Sequence, residues 1–289
     1  MEDSIALQVK SLLGDRTVDR RSFVVSSLCA GFALAVSPVS AQTITTSAEG
    51  LVAGEVKVPA AGGDMPAYRA MPATGSNFPV VLVVQEIFGV HEHIRDLCRR
   101  IAKAGYFAIA PELYARQGDP SKAPDINTLL NDIVKKVPDA QVLGDLDACV
   151  AYAKTTGKAE TARVGITGFC WGGRIVLMYA AHNPDVKAAV AWYGPLTNAF
   201  YPGDKTALDV AAQIRTPVLG LYGGADGGIP TAAVEQMFAK LKAAGNARSE
   251  YKIYPDTPHG FNADYRPSFR QAEAQDAWNR MIAWFKLNL

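Results

Sequence analysis

The sequence VGITGFCWGG at residues 164–173 gives the clearest indication of the fold. It joins an apolar run that predicts a strand to a glycine-rich turn, and the helical pattern of residues 172–181 follows at once. The turn has the spacing Gly168-x-Cys170-x-Gly172, an elbow pattern in which Ser usually occupies the central position. Strand and helix approach closely at such an elbow, so the residues two positions before and after its centre must lack bulk. We therefore expect the thiol at the first turn of a helix, where the helix dipole and backbone N–H groups favour a thiolate.

Outward from this stretch, predicted strands alternate with predicted helices. The strands are predicted at 80–84, 106–110, 164–167, 188–192, 218–222 and 251–254, and the helices at 94–104, 139–155, 172–181, 231–244 and 268–287. Two earlier runs, 51–58 and 67–70, flank Gly62-Gly63-Asp64 and predict an antiparallel hairpin at one sheet edge. The whole pattern predicts an α/β fold, with a mostly parallel central sheet and helices on both faces, in a single domain over 42–289.

Composition and charge narrow the function classes. Apolar residues make up 49% of the 289 residues and charged residues 20%, which excludes disordered, collagen-like and coiled-coil proteins. The formal net charge is +1, from 29 Lys and Arg against 28 Asp and Glu. No global field therefore attracts nucleic acid or an anionic membrane, and we predict no nucleic-acid partner.

Residues 1–41 predict a twin-arginine-type signal peptide. Arg20 and Arg21 precede an uncharged run over 23–36, and small residues precede Gln42. The run is shorter than the roughly 20 residues that a membrane span needs. We expect the twin-arginine export machinery as a partner, cleavage after Ala41, and a periplasmic or secreted protein without stable membrane association. An uncleaved N-terminal anchor or a chance arginine pair is the alternative.

The predicted mature chain keeps three cysteines. Cys98 and Cys149 lie in helical patterns and are expected to be small buried residues. A disulfide between them stays open at this point, because their spacing in the sequence does not test it. With three thiols, at least one is free unless a second molecule supplies a partner, and Cys170 stands apart at the elbow.

Two further residues suited to catalysis follow predicted strands. Asp226 comes after the strand 218–222, and His259 after the strand 251–254. In open α/β sheets, ligands bind outside the carboxyl ends of the strands. The chain order Cys170, Asp226, His259 is that of nucleophile, acid and base in hydrolase triads, and His259 is the only His after Asp226. The alternatives are a buried Cys in a glycine-rich turn, a turn or N-cap Asp, and a surface-loop His.

These segments, together with QEIFG at 85–89, PELYAR at 111–116, GGAD at 223–226 and HGF at 259–261, resemble the dienelactone hydrolase family of the α/β-hydrolase fold. The resemblance runs from about residue 50 to the C-terminus. It implies a hydrolase that cleaves small ester or lactone substrates through an acyl-thiol intermediate, without cofactor or metal. Cys170 is then the nucleophile, His259 its base, and Asp226 the residue that orients the imidazole.

The resemblance implies further roles around the thiol. Glu86 is expected to hold the resting Cys170 as a thiol and to take its proton when substrate arrives. The backbone N–H groups of Ile87 and Trp171 are expected to form the oxyanion hole. A salt-bridge role for Glu86 is the alternative.

For substrate binding, Arg116 matches the family arginine that binds the substrate carboxylate, an anion suited to bidentate pairing. Phe88, Tyr114 and Phe261 are predicted to line the pocket, with ordinary core packing as the alternative. The family's second arginine, four residues after the His, is replaced here by Ala263. This departure weakens the case for dienelactone itself as the substrate.

Two other arginines stay open. Arg266 lies three residues beyond Ala263, and the sequence does not say whether it turns inward. Arg174, four residues after Cys170, either faces the pocket or forms a structural ion pair, and we favour the ion pair because the first turn of that helix packs on the sheet.

The remaining motifs point to no cofactor. His91-Glu92-His93 could suggest a metal, but histidines at i and i+2 diverge on a helix and no third ligand is evident. No phosphate-binding loop or dinucleotide fingerprint occurs. We predict neither metal nor cofactor. A general aryl or alkyl carboxylesterase or thioesterase, and a noncatalytic ligand-binding protein on the same fold, are the competing functions.

Overall fold

Eight strands form one sheet within residues 44–289, the part of the chain that this computed structural model describes. The predicted signal peptide over 1–41 and its cleavage site lie outside the described residues. The strands are β1 (Leu51–Ala60), β2 (Gly63–Pro72), β3 (Phe78–Val84), β4 (Phe107–Pro111), β5 (Ala159–Phe169), β6 (Val186–Trp192), β7 (Val218–Gly223) and β8 (Glu250–Tyr254).

The longer helices alternate with these strands. They are α1 (Glu92–Lys103), α2 (Asp139–Thr155), α3 (Trp171–His182), α4 (Thr231–Ala243) and α5 (Gln271–Asn288). Short helical segments lie at Pro120–Lys122, Ile126–Thr128, Leu129–Ile133, Val134–Lys136, Ala207–Val210 and Ala211–Gln213. The sequence did not predict the short segments over 120–136, because none is long enough to show a helical period.

The strand order is β1-β2-β4-β3-β5-β6-β7-β8. The pairs β1–β2 and β2–β4 are antiparallel, and every other pair is parallel. This arrangement confirms the predicted mostly parallel sheet with an antiparallel hairpin at its edge. The carboxyl ends of β3, β5, β7 and β8 therefore meet at one edge, where the candidate site lies.

The core explains why the apolar runs form strands. All five residues of Val80–Val84 in β3 have no exposed surface, as expected for a strand covered on both faces. Burial of one such side chain stabilises the fold by about 1.5–3 kcal/mol. β5 begins at Ala159, earlier than predicted, because its first residues pair with Phe78 and Pro79 ahead of an irregularity in the register.

Cys98 on α1 and Cys149 on α2 are free and buried, so no disulfide joins them. Burial raises the pKa of both thiols, which makes them poor nucleophiles. Within 44–289, no helix combines the length and the apolar character that crossing a membrane requires.

Candidate active site

Cys170 occupies the sharp turn between β5 and α3. Its backbone has φ of +56° and ψ of −121°, a conformation that L-residues rarely adopt. A Cβ on Gly168 would lie 2.4 Å from the backbone oxygen of Gly172, and a Cβ on Gly172 would lie 2.4 Å from the backbone oxygen of Gln85. The two glycines are therefore required by close backbone contacts, as the elbow pattern predicts.

Asp226 and His259 lie on neighbouring loops, since β7 and β8 are paired in parallel. The loops are joined by hydrogen bonds from Gly224 N to Tyr254 O at 2.7 Å and from Ala225 N to Thr257 O at 3.0 Å. His259 Nδ1 lies 2.6 Å from Asp226 Oδ2, and neither side chain has exposed surface. The carboxylate thereby fixes the imidazole orientation and directs its Nε2 atom away from Asp226.

The Nε2 atom of His259 faces Cys170. It is buried and has no partner with full hydrogen-bond geometry among the described residues, but it interacts with the nearby Cys170 thiol, which raises the pKa of His259. Burial alone lowers the pKa of His259, but Asp226 and Cys170 raise it, and the net pKa is about 10. The charged imidazolium is therefore stabilised.

Glu86 lies two residues after β3 and is 1% exposed. Its Oε2 atom accepts a hydrogen bond from the Tyr265 hydroxyl at 2.6 Å and one from Arg266 Nη2 at 3.3 Å, and His91 Nε2 lies 3.8 Å away. Its Oε1 atom is buried and has no hydrogen-bond partner among the described residues. Burial raises the pKa of Glu86, but Arg266, His91 and Tyr265 outweigh it and hold the pKa well below its usual range.

Arg266 does turn inward, which the sequence left open. Three successive turns carry it there, through hydrogen bonds from Ala263 N to Gly260 O, Arg266 N to Ala263 O, and Phe269 N to Arg266 O, at 2.9, 3.0 and 3.1 Å. Its guanidinium carbon lies 4.7 Å from the centre of the Phe88 ring, and its Nε atom has no partner in the described part of the chain. Ala263 itself is fully buried.

The neighbouring residues of this loop are fixed to α1. Asp264 Oδ1 lies 3.1 Å from His93 Nδ1, and Asp264 Oδ2 accepts a hydrogen bond from Arg100 Nη2 at 2.8 Å. The rings of His91 and Tyr265 meet edge to face at 5.0 Å. The motif His91-Glu92-His93 therefore supports the loop after His259. Within residues 44–289, no three His, Cys, Asp or Glu side chains are placed together so that they could hold a metal ion.

The predicted oxyanion donors are positioned by the two turns. Trp171 is the first residue of α3 directly after Cys170, and Ile87 lies in the turn between Glu86 and Gly89. Both residues are almost fully buried. Neither backbone N–H has a hydrogen-bond acceptor within the described residues, so both are free to bind an oxyanion. Their catalytic role stays a prediction.

Of the three predicted pocket residues, the structure brings two to the site. Phe88 lies beneath the Arg266 guanidinium, and the Tyr114 ring meets the Trp171 ring at 5.0 Å. Burial and the neighbouring Cys170 raise the pKa of Tyr114 well above its usual value. Phe261 instead packs among the rings of aromatic core residues, which is the alternative that the sequence left open: Trp192, Tyr193 and Tyr254.

Arg116 is engaged away from this cluster. Its two terminal nitrogens donate to both oxygens of Asp145 on α2 at 2.7 and 2.8 Å, and one also donates to the Ala61 carbonyl at 2.7 Å. No hydrogen bond or ion pair connects it to the described residues around Cys170. The structure thus gives Arg116 the role of a clamp between α2 and the β1–β2 hairpin, in contrast to its predicted role in binding substrate.

Arg174 forms the structural ion pair that the sequence favoured. It has no exposed surface and donates to both oxygens of Asp139, at 2.7 and 2.6 Å. It also donates to the backbone oxygens of Asn198 and Lys205. Its donors are therefore taken up by the fold.

Buried polar atoms without a hydrogen-bond partner gather around Cys170. The residues of the site that keep at least one such atom, counted against the described chain, are Gln85, Glu86, Tyr114, Tyr193, His259 and Arg266. Buried polar atoms are paired in most folded proteins, so a cluster of exceptions indicates a polar binding site. A cavity of about 540 Å³, bordered in part by Phe88, His91, Glu112 and Pro120, adjoins it.

A cysteine on the elbow after the central strand, with Asp226 and His259 at the same sheet edge, defines the class of α/β-hydrolases. Residues 65–289 match the dienelactone hydrolase family, and the chain belongs to that family. The resemblance read from the sequence is confirmed by this match, which covers more than half of the chain.

Proteins of similar sequence and structure support this family assignment. The chain is 60% identical over 282 residues to a protein of Methylorubrum extorquens named "Putative carboxymethylenebutenolidase", with 96% of both chains covered. It is 54% identical over 258 residues to a protein of the same name from Escherichia coli K12, covering 89% of this chain and 94% of that one. A crystal structure named "Putative Dienelactone Hydrolase" from Klebsiella pneumoniae superposes with a TM-score of 0.79 at 55% identity, covering 82% and 98%. The protein is therefore a carboxylic ester hydrolase of the dienelactone hydrolase type.

Proposed function

We propose that the protein hydrolyses small ester or lactone substrates that carry a carboxylate, with Cys170 as nucleophile and His259 and Asp226 as its partners. The observation that carries the proposal is the unpaired Nε2 atom of His259. It faces the thiol on the elbow while Asp226 holds the other ring nitrogen at 2.6 Å. A nucleophile, a base and a group that orients the base are the minimum for acyl transfer.

In acylation, the thiol proton passes to Glu86 and the sulfur attacks the substrate carbonyl. The oxyanion is bound by the N–H groups of Ile87 and Trp171. The tetrahedral intermediate collapses to a thioester on Cys170 and expels the leaving group as an enolate or alkoxide, which takes up the proton of the His259 imidazolium and leaves that imidazole neutral. Enol esters and lactones suit this step because their leaving groups need little assistance.

In deacylation, the charge state of His259 changes. A thioester is neutral, so it removes the contribution of Cys170 that raises the pKa of His259 in the free enzyme. The imidazole can then accept a proton from water, which attacks the thioester carbonyl. Collapse of this second intermediate releases the carboxylic acid and a thiolate, which takes back the proton held by Glu86, so that Cys170, Glu86 and His259 regain their starting states.

Arg266 is proposed to bind the substrate carboxylate. Its Nε atom is unpaired among the described residues, it contacts Glu86 at 3.3 Å, and it lies near Cys170. A guanidinium drawn toward a substrate anion stabilises Glu86 less, so burial then raises the proton affinity of that carboxylate. Binding of an anionic substrate would thereby prepare Glu86 to accept the thiol proton.

The test compares the purified enzyme with Cys170→Ala on p-nitrophenyl acetate and on a cis-dienelactone, with a chelator present. We expect turnover of both compounds by the enzyme, none above background by the variant, and a mass increase on Cys170 when the reaction is quenched. Turnover of the aryl ester alone would be consistent with the thiol mechanism, but it would indicate a general carboxylesterase and not an enzyme for lactones. Equal behaviour of the two proteins would overturn the proposal in favour of a ligand-binding protein.

We also propose that the protein is exported by the twin-arginine machinery and acts in the periplasm or outside the cell. The support comes from the sequence: Arg20 and Arg21 before an uncharged run, and small residues before Gln42. Mass spectrometry of the protein from cell fractions should find Gln42 as the first residue in the periplasmic or secreted fraction. A protein that retains Met1 and sediments with membranes would contradict the proposal.

A further inference from the structure

The two oxygens of the Glu86 carboxylate have different surroundings. Every polar partner that Glu86 has among the described residues contacts Oε2: Tyr265 at 2.6 Å, Arg266 at 3.3 Å and His91 at 3.8 Å. Oε1 is buried to the same degree and has none. The carboxylate thus has one saturated oxygen and one free oxygen, in a site where a proton has to be accepted.

We propose that Tyr265 is a positioning residue for acylation, whose hydroxyl fixes Oε2 of Glu86 so that Oε1 is the oxygen that accepts the Cys170 proton. This inference rests on the proposed function, in which Glu86 takes that proton. In the transfer, the S–H bond breaks, an O–H bond forms at Oε1, and the electron pair of the S–H bond stays on sulfur as the nucleophile.

The hydroxyl of Tyr265 suits this role better than the other two partners, Arg266 and His91. Its contact with Oε2 is the shortest of the three, and a neutral hydroxyl still donates, although more weakly, when the carboxylate becomes a protonated acid. Arg266, by contrast, attracts only the anion, and it is the group proposed to turn toward the substrate carboxylate. Tyr265 therefore remains the partner of Glu86 through the whole proton transfer.

The position of the hydroxyl is fixed by its surroundings. The Tyr265 ring lies 5.0 Å from the His91 ring and 5.2 Å from the His93 ring, and the Arg266 guanidinium carbon lies 4.9 Å from its centre. The preceding residue, Asp264, is bound to α1 through His93 and Arg100. The loop thus presents the hydroxyl from a rigid base, which a positioning role requires.

The other groups facing Glu86 do not replace Tyr265. Arg266, on the loop after His259, stabilises the negative charge of Glu86. His91, which lies between β3 and α1, is 3.8 Å from Oε2, too far away for a hydrogen bond. Tyr193 follows β6. The negative charge of Glu86 raises the pKa of Tyr193, but no hydrogen bond joins the two side chains, and the Tyr193 hydroxyl has no partner among the described residues. Removal of the Tyr265 oxygen would leave only the longer 3.3 Å contact from Arg266, the group proposed to turn toward the substrate, to hold the orientation of the carboxylate.

The experiment separates acylation from deacylation. With enzyme in excess over p-nitrophenyl acetate, release of p-nitrophenol reports acylation, and mass spectrometry of quenched samples follows the loss of acetyl-Cys170. Tyr265→Phe keeps the ring and removes only the hydroxyl. We expect its acylation rate constant to fall about tenfold, as for a lost hydrogen bond to a charged group, while deacylation changes less than about twofold.

The matched control is Tyr179→Phe. Tyr179 is fully buried and donates to a carboxylate oxygen of Asp147 at 2.8 Å, away from Glu86. It should leave both rate constants unchanged. Equal slowing of both steps by Tyr265→Phe would overturn the inference, because a merely structural defect in the loop after His259 would impair both.

The Glu86→Gln variant separates the inferred role of Tyr265 from the proposed role of Glu86, on which it rests. Slow acylation in Glu86→Gln, with no further loss on adding Tyr265→Phe, supports both, because coupled residues are non-additive. Slow acylation in Glu86→Gln with normal acylation in Tyr265→Phe would reject the role of Tyr265 alone. Normal acylation in Glu86→Gln would reject the proposed role of Glu86 and the inference together.

Discussion

Two buried arginine–carboxylate pairs in this protein differ in how fully their hydrogen bonds are used. Arg174 donates to both oxygens of Asp139, at 2.7 and 2.6 Å, and to two backbone oxygens. Arg266 donates to one oxygen of Glu86 at 3.3 Å, and its Nε atom has no partner among the described residues. The hydrogen bonds of the first pair are made within the fold. In the second pair, Arg266 Nε and Glu86 Oε1 have no partner among the described residues, and Cys170 lies nearby.

Unused hydrogen-bonding groups distinguish a functional ion pair from a structural one. Both arginines are buried and both lie near the elbow in sequence or in space, so burial and charge alone do not distinguish them. A buried group without a partner is expensive unless something else supplies that partner. The unsatisfied pair is therefore the one that we assign to substrate, and substitutions at the two sites should have opposite consequences for stability and activity.

The largest expected effect is that of Arg174→Ala on stability. Removal of Arg174 leaves the Asp139 carboxylate and two backbone oxygens without their donor, and breaking a buried pair in this way lowers the free energy of unfolding by about 3–5 kcal/mol. Urea unfolding followed by circular dichroism measures the change. Activity per folded molecule should stay within about twofold of the unmodified enzyme, because the pair does not contact the thiol.

The double variant Arg174→Met with Asp139→Leu serves as the control for this prediction. It removes the unpaired charge along with its partner, and it should be more stable than Arg174→Ala. A single variant of normal stability, or one with impaired catalysis in the folded protein, would show that the complete pair is not purely structural.

A smaller effect is expected for Arg266→Met, and it falls on catalysis. The specificity constant kcat/KM for an ester or lactone bearing a carboxylate should drop about 10- to 100-fold, the value of a charge-assisted hydrogen bond. For neutral p-nitrophenyl acetate it should change less, since no substrate anion is involved and only the effect of Arg266 on Glu86 is lost. Loss of stability should be smaller than for Arg174→Ala, because Glu86 keeps the Tyr265 hydroxyl and can take up a proton.

Arg116→Met is the matched control, with the same charge removed from the clamp on Asp145. It should reduce turnover of neither substrate by more than about twofold, and the partly exposed pair should contribute about 1 kcal/mol or less to stability. If Arg116→Met selectively lost activity on the anionic substrate and Arg266→Met did not, the comparison between the two pairs would be reversed.

The comparison also shows what the sequence reveals. The strand Val80–Val84 and the helix over 139–155 could be predicted because continuous apolar runs and helical periods are local signals. The elbow could be predicted because Gly168 and Gly172 are required by backbone contacts within a few residues of Cys170. The positions of Cys170, Asp226 and His259 could be predicted because each follows a predicted strand, and these strands end at one edge of the sheet.

The contacts of Glu86 could not be predicted in the same way. Its partner Tyr265 lies 179 residues away in the chain, and a series of tight turns rather than a periodic element carries it there. The ion pair of Arg116 could not be predicted either, since matching a family position does not reveal that Asp145 accepts hydrogen bonds from its guanidinium. Both outcomes depend on tertiary neighbours, which leave no pattern in the local sequence.

The smallest expected effect is a contrast between Glu86 and Glu112. Glu112 directly follows β4, and its carboxylate contacts the segment after the turn that holds Glu86. Glu112 Oε2 accepts a hydrogen bond from Val90 N at 3.2 Å, but burial outweighs this bond and the attraction of Arg95, so the pKa of Glu112 is raised. The folded protein thus holds the Glu112 proton to higher pH than the unfolded chain, whose pKa is near the ordinary 4.5. Stability therefore decreases as pH rises from the unfolded pKa through the folded one.

Glu112→Gln should accordingly unfold at a higher urea concentration than the unmodified protein at pH 7–8, and the difference should disappear at about pH 4, where the carboxyl is protonated in both states. Glu86→Gln should show the opposite sign, because the lowered pKa of Glu86 stabilises the folded state above its unfolded pKa, and this contribution is lost as pH falls. The exposed Glu235→Gln on α4 controls for the loss of one charge. The same sign for Glu86 and Glu112 would mean that Arg266 does not compensate the burial of Glu86, and the contrast between paired and unpaired carboxylates would fail.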